Sequence, residues 1–248
     1  MLELKNVTAG YGRTDILKNV SIRFDEGKLT SIIGPNGSGK STLLRAVMGI
    51  IPCKSGEVLI DGNSTLQYKS NDLARRIAYL SQERSTPSLT VAELVLHGRF
   101  PHLSYPRIYT ECDRKIARAA MERIGILNLA DTPLVNLSGG MRQSAYIAMI
   151  LAQGADHILL DEPLTFLDVA HQISLMKHLR SLASEGRTVV AVMHDLPLAA
   201  SFSDTIAVIN DGKPLTVAPP SELCKSPIIE DIFCAKLVQN GESYSYKF

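Results

Sequence analysis

The chain has 248 residues, of which 45% are hydrophobic and 21% are charged, and its formal net charge is +1. This length is sufficient to bury a sizeable core in one large domain, or in one domain with a subdomain. The near-neutral balance excludes the strongly basic field that is typical of nucleic-acid-binding proteins.

Secretion, membrane insertion and a zinc site are not indicated. The first residues, MLELKNVTAGYG, carry charges where a signal peptide needs an apolar core, so none is expected. No run approaches the roughly 20 apolar residues of a membrane-spanning helix. The four cysteines lack CxxC spacing and the six histidines do not cluster. This pattern favours reduced thiols in a cytosolic protein over disulfides or a zinc site.

The first third of the chain has the apolar runs and turn residues that are typical of strands. We predict strands over residues 2–7, 20–24, 29–33 and 57–60, the last ahead of an Asp61-Gly62 turn, and a helix over residues 40–50.

A glycine-rich segment, GPNGSGKST, matches the phosphate-loop pattern G-x-x-x-x-G-K-[ST]. An apolar strand precedes it and a helical pattern follows, which favours this interpretation over a chance glycine-rich turn. In such a loop backbone N–H groups surround phosphate oxygens, Lys40 reaches the β- and γ-phosphates, and Ser41 contacts Mg²⁺. The predicted nucleotide-binding residues here are Gly34, Pro35, Asn36, Gly37, Ser38, Gly39, Lys40, Ser41 and Thr42.

A mostly helical segment, residues 84–154, is predicted after the run IAYLSQ. Gln82 ends that run, and its amide could contact Mg²⁺ or the attacking water; the alternative is an ordinary surface glutamine. Thr90 and Glu93 are predicted to form a capping box. A second helical period extends from Ile116 to Leu127.

The run LSGGMRQ places two glycines directly before an apolar helical pattern. Glycine is a poor helix former, so a pair at a helix start indicates a close approach to the backbone. Free N–H groups at a helix N-terminus attract anions. We therefore predict that Ser138, Gly139 and Gly140 form a second phosphate-binding element.

Two predicted strands of the last third end in polar side chains. HILLDEP contains Asp161 and Glu162, and VVAVMH ends in His194. Asp161 is predicted to complete the Mg²⁺ shell, and Glu162 to activate a water as general base. His194 lies where open α/β sheets place their ligands. The alternatives are a turn that merely ends a strand and a structural histidine.

The last third alternates between strands and helices. We predict a strand over 157–160, a helix over 169–184 stopped by Gly186, a strand over 188–193, a short helix after Leu196, a strand over 205–209, and, after Ile228, a small helix and a hairpin at Asn240-Gly241. Such alternation predicts a mostly parallel sheet with a helical insertion.

In chain order, Tyr11, GPNGSGKST, Gln82, LSGGMRQ, HILLDEP, LTFLD and His194 resemble the ATP-binding cassette (ABC) ATPases over nearly the whole chain. The resemblance implies an α/β fold: a P-loop NTPase core with a mostly parallel sheet, an N-terminal antiparallel β subdomain and an inserted α-helical subdomain. The implied organisation is one nucleotide-binding domain over 1–248, with a RecA-like core over about 1–83 and 155–220, a helical subdomain over about 84–154 and a small C-terminal extension over about 221–248.

In this family two cassettes pack head to tail, and each ATP lies between the phosphate loop of one and the signature motif of the other. The resemblance implies that Ser138, Gly139 and Gly140 are that signature motif and cap the γ-phosphate in the partner's site. It also implies that Tyr11 stacks on adenine and that Asp168 links the two sites of the dimer.

The resemblance assigns the chemistry as well. The implied cofactors are ATP and Mg²⁺, the implied catalytic residues are Glu162, His194 and Gln82, and the implied ligands of Mg²⁺ are Ser41, Gln82 and Asp161. Two residues depart from the family pattern. Met141 replaces a glutamine that would complete a capping box with Ser138, which predicts a weaker helix start. Ser144 replaces a usual basic residue, which removes the charge that a contact there would need.

Three runs, YLSQ, LHGRFPHL and FLDVAHQ, are similar to cassettes of importers for iron–siderophore, haem and cobalamin. In those importers the region after Gln82 forms a groove for a short helix of the permease. The resemblance implies an ATP-hydrolysing subunit that dimerises around two ATP molecules and powers such a permease. The implied partners are a second nucleotide-binding subunit, expected to form a homodimer, transmembrane permease subunits and, indirectly, a periplasmic or surface substrate-binding protein, but no nucleic acid. The implied location is the cytoplasmic face of the membrane, through the permease.

Several alternatives remain at this point. Leu96, Phe100 and Leu103 could be ordinary core of the helical subdomain. The chain could be the cassette of another importer class, or a non-transport ABC ATPase acting on ribosomes or DNA, although it has one cassette and no heptads. A small-molecule P-loop kinase would leave LSGGMRQ without a role.

Overall fold

The structure, a computed structural model, describes residues 1–82, 85–165, 167–241 and 243–247. The strands are β1 (Leu2–Tyr11), β2 (Thr14–Phe24), β3 (Leu29–Ile33), β4 (Cys53–Ile60), β5 (Asn63–Ser64), β6 (Ile77–Leu80), β7 (His157–Asp161), β8 (Thr188–Val192), β9 (Thr205–Asn210), β10 (Lys213–Ala218), β11 (Lys236–Asn240) and β12 (Ser243–Lys247). The α-helices are α1 (Lys40–Val47), α2 (Ser70–Arg76), α3 (Val91–His97), α4 (Glu111–Ile124), α5 (Gly139–Gln153), α6 (Val169–Ser184), α7 (Leu196–Phe202), α8 (Pro220–Leu223) and α9 (Ile228–Phe233). Phe166 of the run FLDVAHQ and the expected boundary at residues 83 and 84 lie outside the described residues.

The larger sheet has six strands in the order β10-β9-β3-β8-β7-β6. Its strands are parallel except β10, which is antiparallel to β9. Every residue of β3, β7 and β8 is buried, as expected for parallel strands covered on both faces. The prediction of a mostly parallel sheet is confirmed. The carboxyl ends of β3, β6, β7 and β8 meet at one edge, and the segments with the predicted site residues follow there.

The smaller sheet is antiparallel, with the order β2-β1-β4-β5. It contains the strands predicted over residues 2–7, 20–24 and 57–60, but each is longer than predicted. Strand β1 extends to Tyr11, β2 begins at Thr14 and β4 begins at Cys53. The additional residues pair through register shifts, which break the alternation of side chains between the two faces. The sequence therefore shows no two-residue period there, and the predicted strands are too short.

Helices α3, α4 and α5, which follow β6 and precede β7 in the chain, pack against one another. Helix α3 begins with the predicted capping box, since Thr90 accepts from the Glu93 backbone N–H and the Glu93 carboxylate accepts from that of Thr90. Two predicted helices are too long, because α1 ends at Val47 and α4 at Ile124. A glycine in the left-handed conformation, Gly49 or Gly125, follows each end and stops the helix.

The alternation of the last third is confirmed, and α6 has the predicted bounds. The small helix α9 and the hairpin of β11 and β12 are also as predicted. Strand β10 is absent from the prediction because Pro214 weakens its strand signal. Helix α8 is absent because its four residues are too few to show a helical period. Within the described part of the chain, no helix combines the length and apolar character needed to cross a bilayer.

Candidate functional site

The predicted phosphate loop connects β3 to α1 at the edge where the parallel strands end. Gly34 has φ +154, and a Cβ atom there would lie 2.0 Å from the carbonyl oxygen of Ile209 on β9. The loop therefore packs against the sheet so closely that only glycine fits at its first position. Gly39, with φ +101, begins α1 directly before Lys40. This geometry directs the first N–H groups of the helix toward the loop.

Lys40 is buried and lies inside this loop. Its ammonium group donates to the carbonyl oxygens of Gly34 and Pro35, both at 2.9 Å. Burial lowers the pKa of Lys40, and the nearby carboxylates of Glu162 and Asp161 oppose that shift. The structure thus places a cation between the phosphate loop and the two predicted acidic residues.

Ser41 and Asp161 are brought together as predicted. The Ser41 hydroxyl donates to Asp161 Oδ1 at 2.9 Å, and the Tyr79 hydroxyl approaches Oδ2 at 3.3 Å. Asp161 is fully buried at the end of β7, and this burial raises the pKa of its carboxyl group against the effect of the two hydroxyl donors. A hydroxyl and a carboxylate are hard oxygen ligands of the kind that Mg²⁺ prefers, so this pair fits the predicted metal site.

Two predicted residues, Gln82 and His194, converge on the carboxylate of a third, Glu162. Gln82 Nε2 donates to Glu162 Oε2 at 2.7 Å, and His194 Nε2 lies 2.6 Å from Glu162 Oε1. The Thr165 hydroxyl is a more distant donor, 3.5 Å from Oε2. Glu162 itself has φ +52, which is unusual outside glycine and costs about 1–3 kcal/mol. A strained residue whose two oxygens are both held is typical of a functional carboxylate.

These groups surround one cleft with a volume of about 510 Å³. Its lining residues are Tyr11, Ile16, Asn36, Gly37, Ser38, Gly39, Lys40, Ser41, Thr42, Gln82, Glu162 and His194. A cleft of this size is in the range that accommodates a small-molecule ligand. Three further predicted residues do not line the cleft but accept hydrogen bonds from residues that do. Gly34 and Pro35 accept from Lys40, and Asp161 accepts from Ser41.

The second predicted phosphate element lies outside this cleft. Ser138 caps α5 by accepting a hydrogen bond from the backbone N–H of Met141 at 3.2 Å, and Gly139 and Gly140 form the first turn of the helix. Ser138 and Gly139 are exposed, and no residue of the signature motif lines the cleft of the same chain. Asp168 is also outside it, at the N-terminus of α6. These residues are thus available to a second molecule.

Asp168 has a local structural role as well. Its Oδ1 accepts hydrogen bonds from the backbone N–H of His171 at 2.9 Å and from His171 Nδ1 at 2.8 Å. Both hydrogen bonds lower the pKa of Asp168, and the one from the His171 backbone has the larger effect.

Sequence reasoning missed Arg45 and Tyr79. The Arg45 guanidinium donates to the Tyr11 hydroxyl at 2.9 Å and also interacts electrostatically with Tyr79, whose hydroxyl reaches Asp161. A continuous series of side chains therefore joins Tyr11 to the predicted metal site. The available signal was the strand register: Tyr79 on β6 pairs with Leu159 on β7, and Asp161 follows two residues later on the same face.

Tyr79→Phe removes one hydrogen-bond donor from the buried Asp161 carboxylate. We expect the free energy of unfolding to fall by about 1–3 kcal/mol, because an unsatisfied buried acceptor costs that much. Urea denaturation without nucleotide measures the change. Tyr68→Phe is the control, since Tyr68 contacts Arg76 through its ring. An equal loss in the two variants would contradict the role of the Tyr79 hydroxyl.

Met141→Gln tests the incomplete capping box at α5. Met141 is exposed and its side chain returns no hydrogen bond to Ser138, as predicted. A glutamine there can accept from the Ser138 backbone N–H, so we expect stability to rise by about 0.5–1 kcal/mol. Thermal and urea unfolding measure the gain, and ATP turnover is expected to persist. If stability is unchanged, the capping explanation is wrong.

Comparison with known proteins agrees with this geometry. The family model described as ABC transporter matches residues 17–165. The ferric enterobactin transport ATP-binding protein FepC of Escherichia coli K12 is 41% identical over 231 residues, which cover 92% of this chain and 85% of that protein. The petrobactin import ATP-binding protein YclP of Bacillus subtilis 168 is 40% identical over 94% of this chain and 92% of its own length.

Solved structures show the same fold. A nucleotide-free ATP-binding cassette from an ABC transporter superposes with a TM-score of 0.85 at 24% identity, covering 94% of this chain and 98% of that one. The bacterial ABC transporter cassette MJ0796, solved as a dimer, has a TM-score of 0.78 at 32% identity and covers 89% of this chain and 99% of its own. The expected fold class is therefore confirmed. By its family match, its relatives and its fold, this chain belongs to the ABC transporter family, as an ATP-binding cassette with ATPase activity.

Proposed function

We propose that this cassette hydrolyses ATP with Glu162 as the general base. The observation that carries the proposal is the carboxylate of Glu162, which is held at one oxygen by Gln82 and at the other by His194 beside the phosphate loop. In this geometry Glu162 takes a proton from the water that attacks the γ-phosphorus, and the bond to ADP breaks. His194 keeps the carboxylate oriented, and Lys40 with the loop N–H groups holds the phosphate oxygens.

We further propose that Ser41 and Asp161 hold Mg²⁺, with the amide oxygen of Gln82 as a third ligand. The adjacent hydroxyl and carboxylate of Ser41 and Asp161 support this assignment. When bound, the ion neutralises phosphate charge and orients the β- and γ-phosphates. Tyr11 at the other end of the cleft stacks on the adenine ring, with its hydroxyl held by Arg45.

Each site is completed by a second copy of the chain. The support is the exposure of Ser138 and Gly139 outside the cleft, at the N-terminus of a 15-residue helix. Helix N-termini bind anions, and the Ser138 hydroxyl with the N–H groups of Gly139 and Gly140 suits a γ-phosphate. Asp168 lies at the start of α6 and connects the two sites. ATP then holds a homodimer closed, and its hydrolysis releases it.

The cargo class is proposed from the relatives. Curated relatives named for ferric enterobactin, petrobactin and iron(3+)-hydroxamate are 41%, 40% and 40% identical to this chain. We propose that the cassette powers a permease that imports iron–siderophore complexes, and that haem or cobalamin is a less supported cargo. The cassette is then held at the cytoplasmic face of the membrane by the permease, and a substrate-binding protein delivers the cargo. Phe100 lies in the run LHGRFPHL and is 44% exposed, so it is a candidate contact with the permease. Leu103 of the same run is buried and belongs to the core.

Reconstitution tests this function. The cassette is co-purified with its cognate permease and placed in proteoliposomes with the cognate binding protein. We expect ATP turnover to be stimulated by binding protein loaded with a ferric siderophore, and not by the empty protein. Stimulation by haem or a corrinoid alone would change the cargo assignment. Association with ribosomes or nucleic acid, without a permease, would contradict the transport function.

A further inference from the structure

The segment Gly98–His102, with the sequence GRFPH, packs against the C-terminal end of α5. The last carbonyl groups of a helix lack partners within the helix. Arg99 Nη1 donates to the Ala152 carbonyl oxygen at 3.0 Å, and His102 Nε2 donates to the Gln153 carbonyl oxygen at 2.8 Å. Both donors therefore cap the C-terminus of α5, where hydrogen-bond donors and cations are favoured.

Gly98 brings the segment close enough for these contacts. A Cβ atom at this position would lie 2.3 Å from the Met149 carbonyl oxygen in the last turns of α5. Any larger residue would separate α3 from α5. Pro101 and its neighbours then form a short 3-10 helix, Phe100–His102, which turns His102 back toward α5.

Arg99 is itself held by α4. Its Nε donates to Asp113 Oδ1 at 3.0 Å, and the side chains of Arg99 and Asp113 are only 12% and 9% exposed. Asp113 also closes the capping box of α4 with Thr110. The hydrogen bonds from Thr110, with that from Arg99, lower the pKa of Asp113 to about 2. One guanidinium thus joins the start of α4 to the end of α5.

The same end of α5 is fixed to the core. The Gln153 side chain donates to the Ile77 carbonyl oxygen at 3.0 Å and to that of Ala74 at 2.5 Å, where α2 leads into β6. Arg75 donates to the Pro101 carbonyl oxygen at 2.8 Å. Because β6 leads directly to Gln82, the anchored end of α5 lies at the strand that delivers a predicted catalytic residue.

We propose that Gly98, Arg99 and His102 form an α5 clamp that orients the signature motif at the opposite end of the helix. Helix α5 is continuous over its 15 residues, a length of about 22 Å, so a tilt at its C-terminus displaces Ser138, Gly139 and Gly140. The clamp residues are positioning residues for the second copy's ATP. This inference rests on the proposed function, because it requires that the signature motif completes the partner's site.

Clamp variants are tested in the full-length cassette carrying Glu162→Gln, which is expected to form a stable dimer with ATP. Arg99→Met and His102→Leu remove the two caps, and His102→Gln retains a donor in the same direction. We expect binding of a fluorescent ATP analogue to the monomer to be unchanged. The Kd of the ATP-bound dimer, from sedimentation, is expected to rise about tenfold for Arg99→Met and His102→Leu, in the range typical of coupling between distant sites. His102→Gln is expected to restore it.

Arg118→Met is the matched control, because Arg118 is an exposed arginine of α4 whose ion pair is with Glu122 on the same helix and not with the end of α5. Equal weakening of the dimer by this control, or unchanged dimerisation in both Arg99→Met and His102→Leu, would overturn the clamp. If Arg99→Met does not fold, the two His102 variants still decide the outcome. If the Glu162→Gln parent itself fails to dimerise with ATP, the proposed function fails and the clamp fails with it.

Discussion

Glu162→Gln is expected to reduce ATP turnover by at least about a hundredfold, the usual contribution of a general base. The amide cannot take the proton from water, but it has nearly the shape of the carboxylate and stays between Gln82 and His194. The contacts of Lys40 and the phosphate loop remain, so we expect ATP to bind normally. Because ATP is not consumed, the dimer is expected to stay closed.

Phosphate release measures turnover, and size exclusion with and without ATP measures the dimer. Glu26→Gln, in the exposed turn between β2 and β3, is the control for removal of a carboxylate. Normal hydrolysis by Glu162→Gln would remove this residue from the mechanism. Loss of ATP binding would instead show that the carboxylate has a structural role in the cleft.

Lys40→Met and Ser138→Arg are each expected to be inactive alone and to recover activity when mixed. Lys40 lies in the phosphate loop, and Ser138 lies outside the cleft of its own chain. Losing either group from both sites is expected to cost at least about a hundredfold in turnover. In a mixed dimer the two defects fall in one composite site, and the second site has an intact loop and an intact signature motif.

In an equal mixture, about half of all dimers contain one copy of each variant, and each of these has one intact site out of two. We therefore expect about a quarter of the parent activity from a symmetric dimer. Lys40→Met mixed with the double variant Lys40→Met/Ser138→Arg is the control, because every loop is then defective. Absence of recovery would contradict the shared site. Full-rate turnover by a subunit that is prevented from pairing would contradict it as well.

The parts of the site that were predictable depend on short stretches of chain. The phosphate loop is recognisable because its glycines, Lys40 and Ser41 must be adjacent in sequence to surround one phosphate group. Asp161, Glu162 and His194 were found because each ends a buried apolar strand, and parallel strands present their ends at one edge. The capping box of Thr90 and Glu93 is likewise a four-residue pattern.

The sequence by itself thus determined the mostly parallel sheet, the strand ends and the phosphate loop, because each of these has a local or periodic signal. Tyr11 and Asp168 were assigned only through the resemblance to ABC ATPases, which rests on the order of the motifs along the chain. Only the tertiary structure decided that Tyr79 and Arg45 join Tyr11 to Asp161, that Gln82 and His194 hold the two oxygens of Glu162, and that GRFPH caps α5. It also decided the true length of β1 and β2, whose register shifts erase the pattern. These features join residues far apart in the chain, and contacts of that kind depend on how strands and helices pack, which no short stretch of sequence encodes.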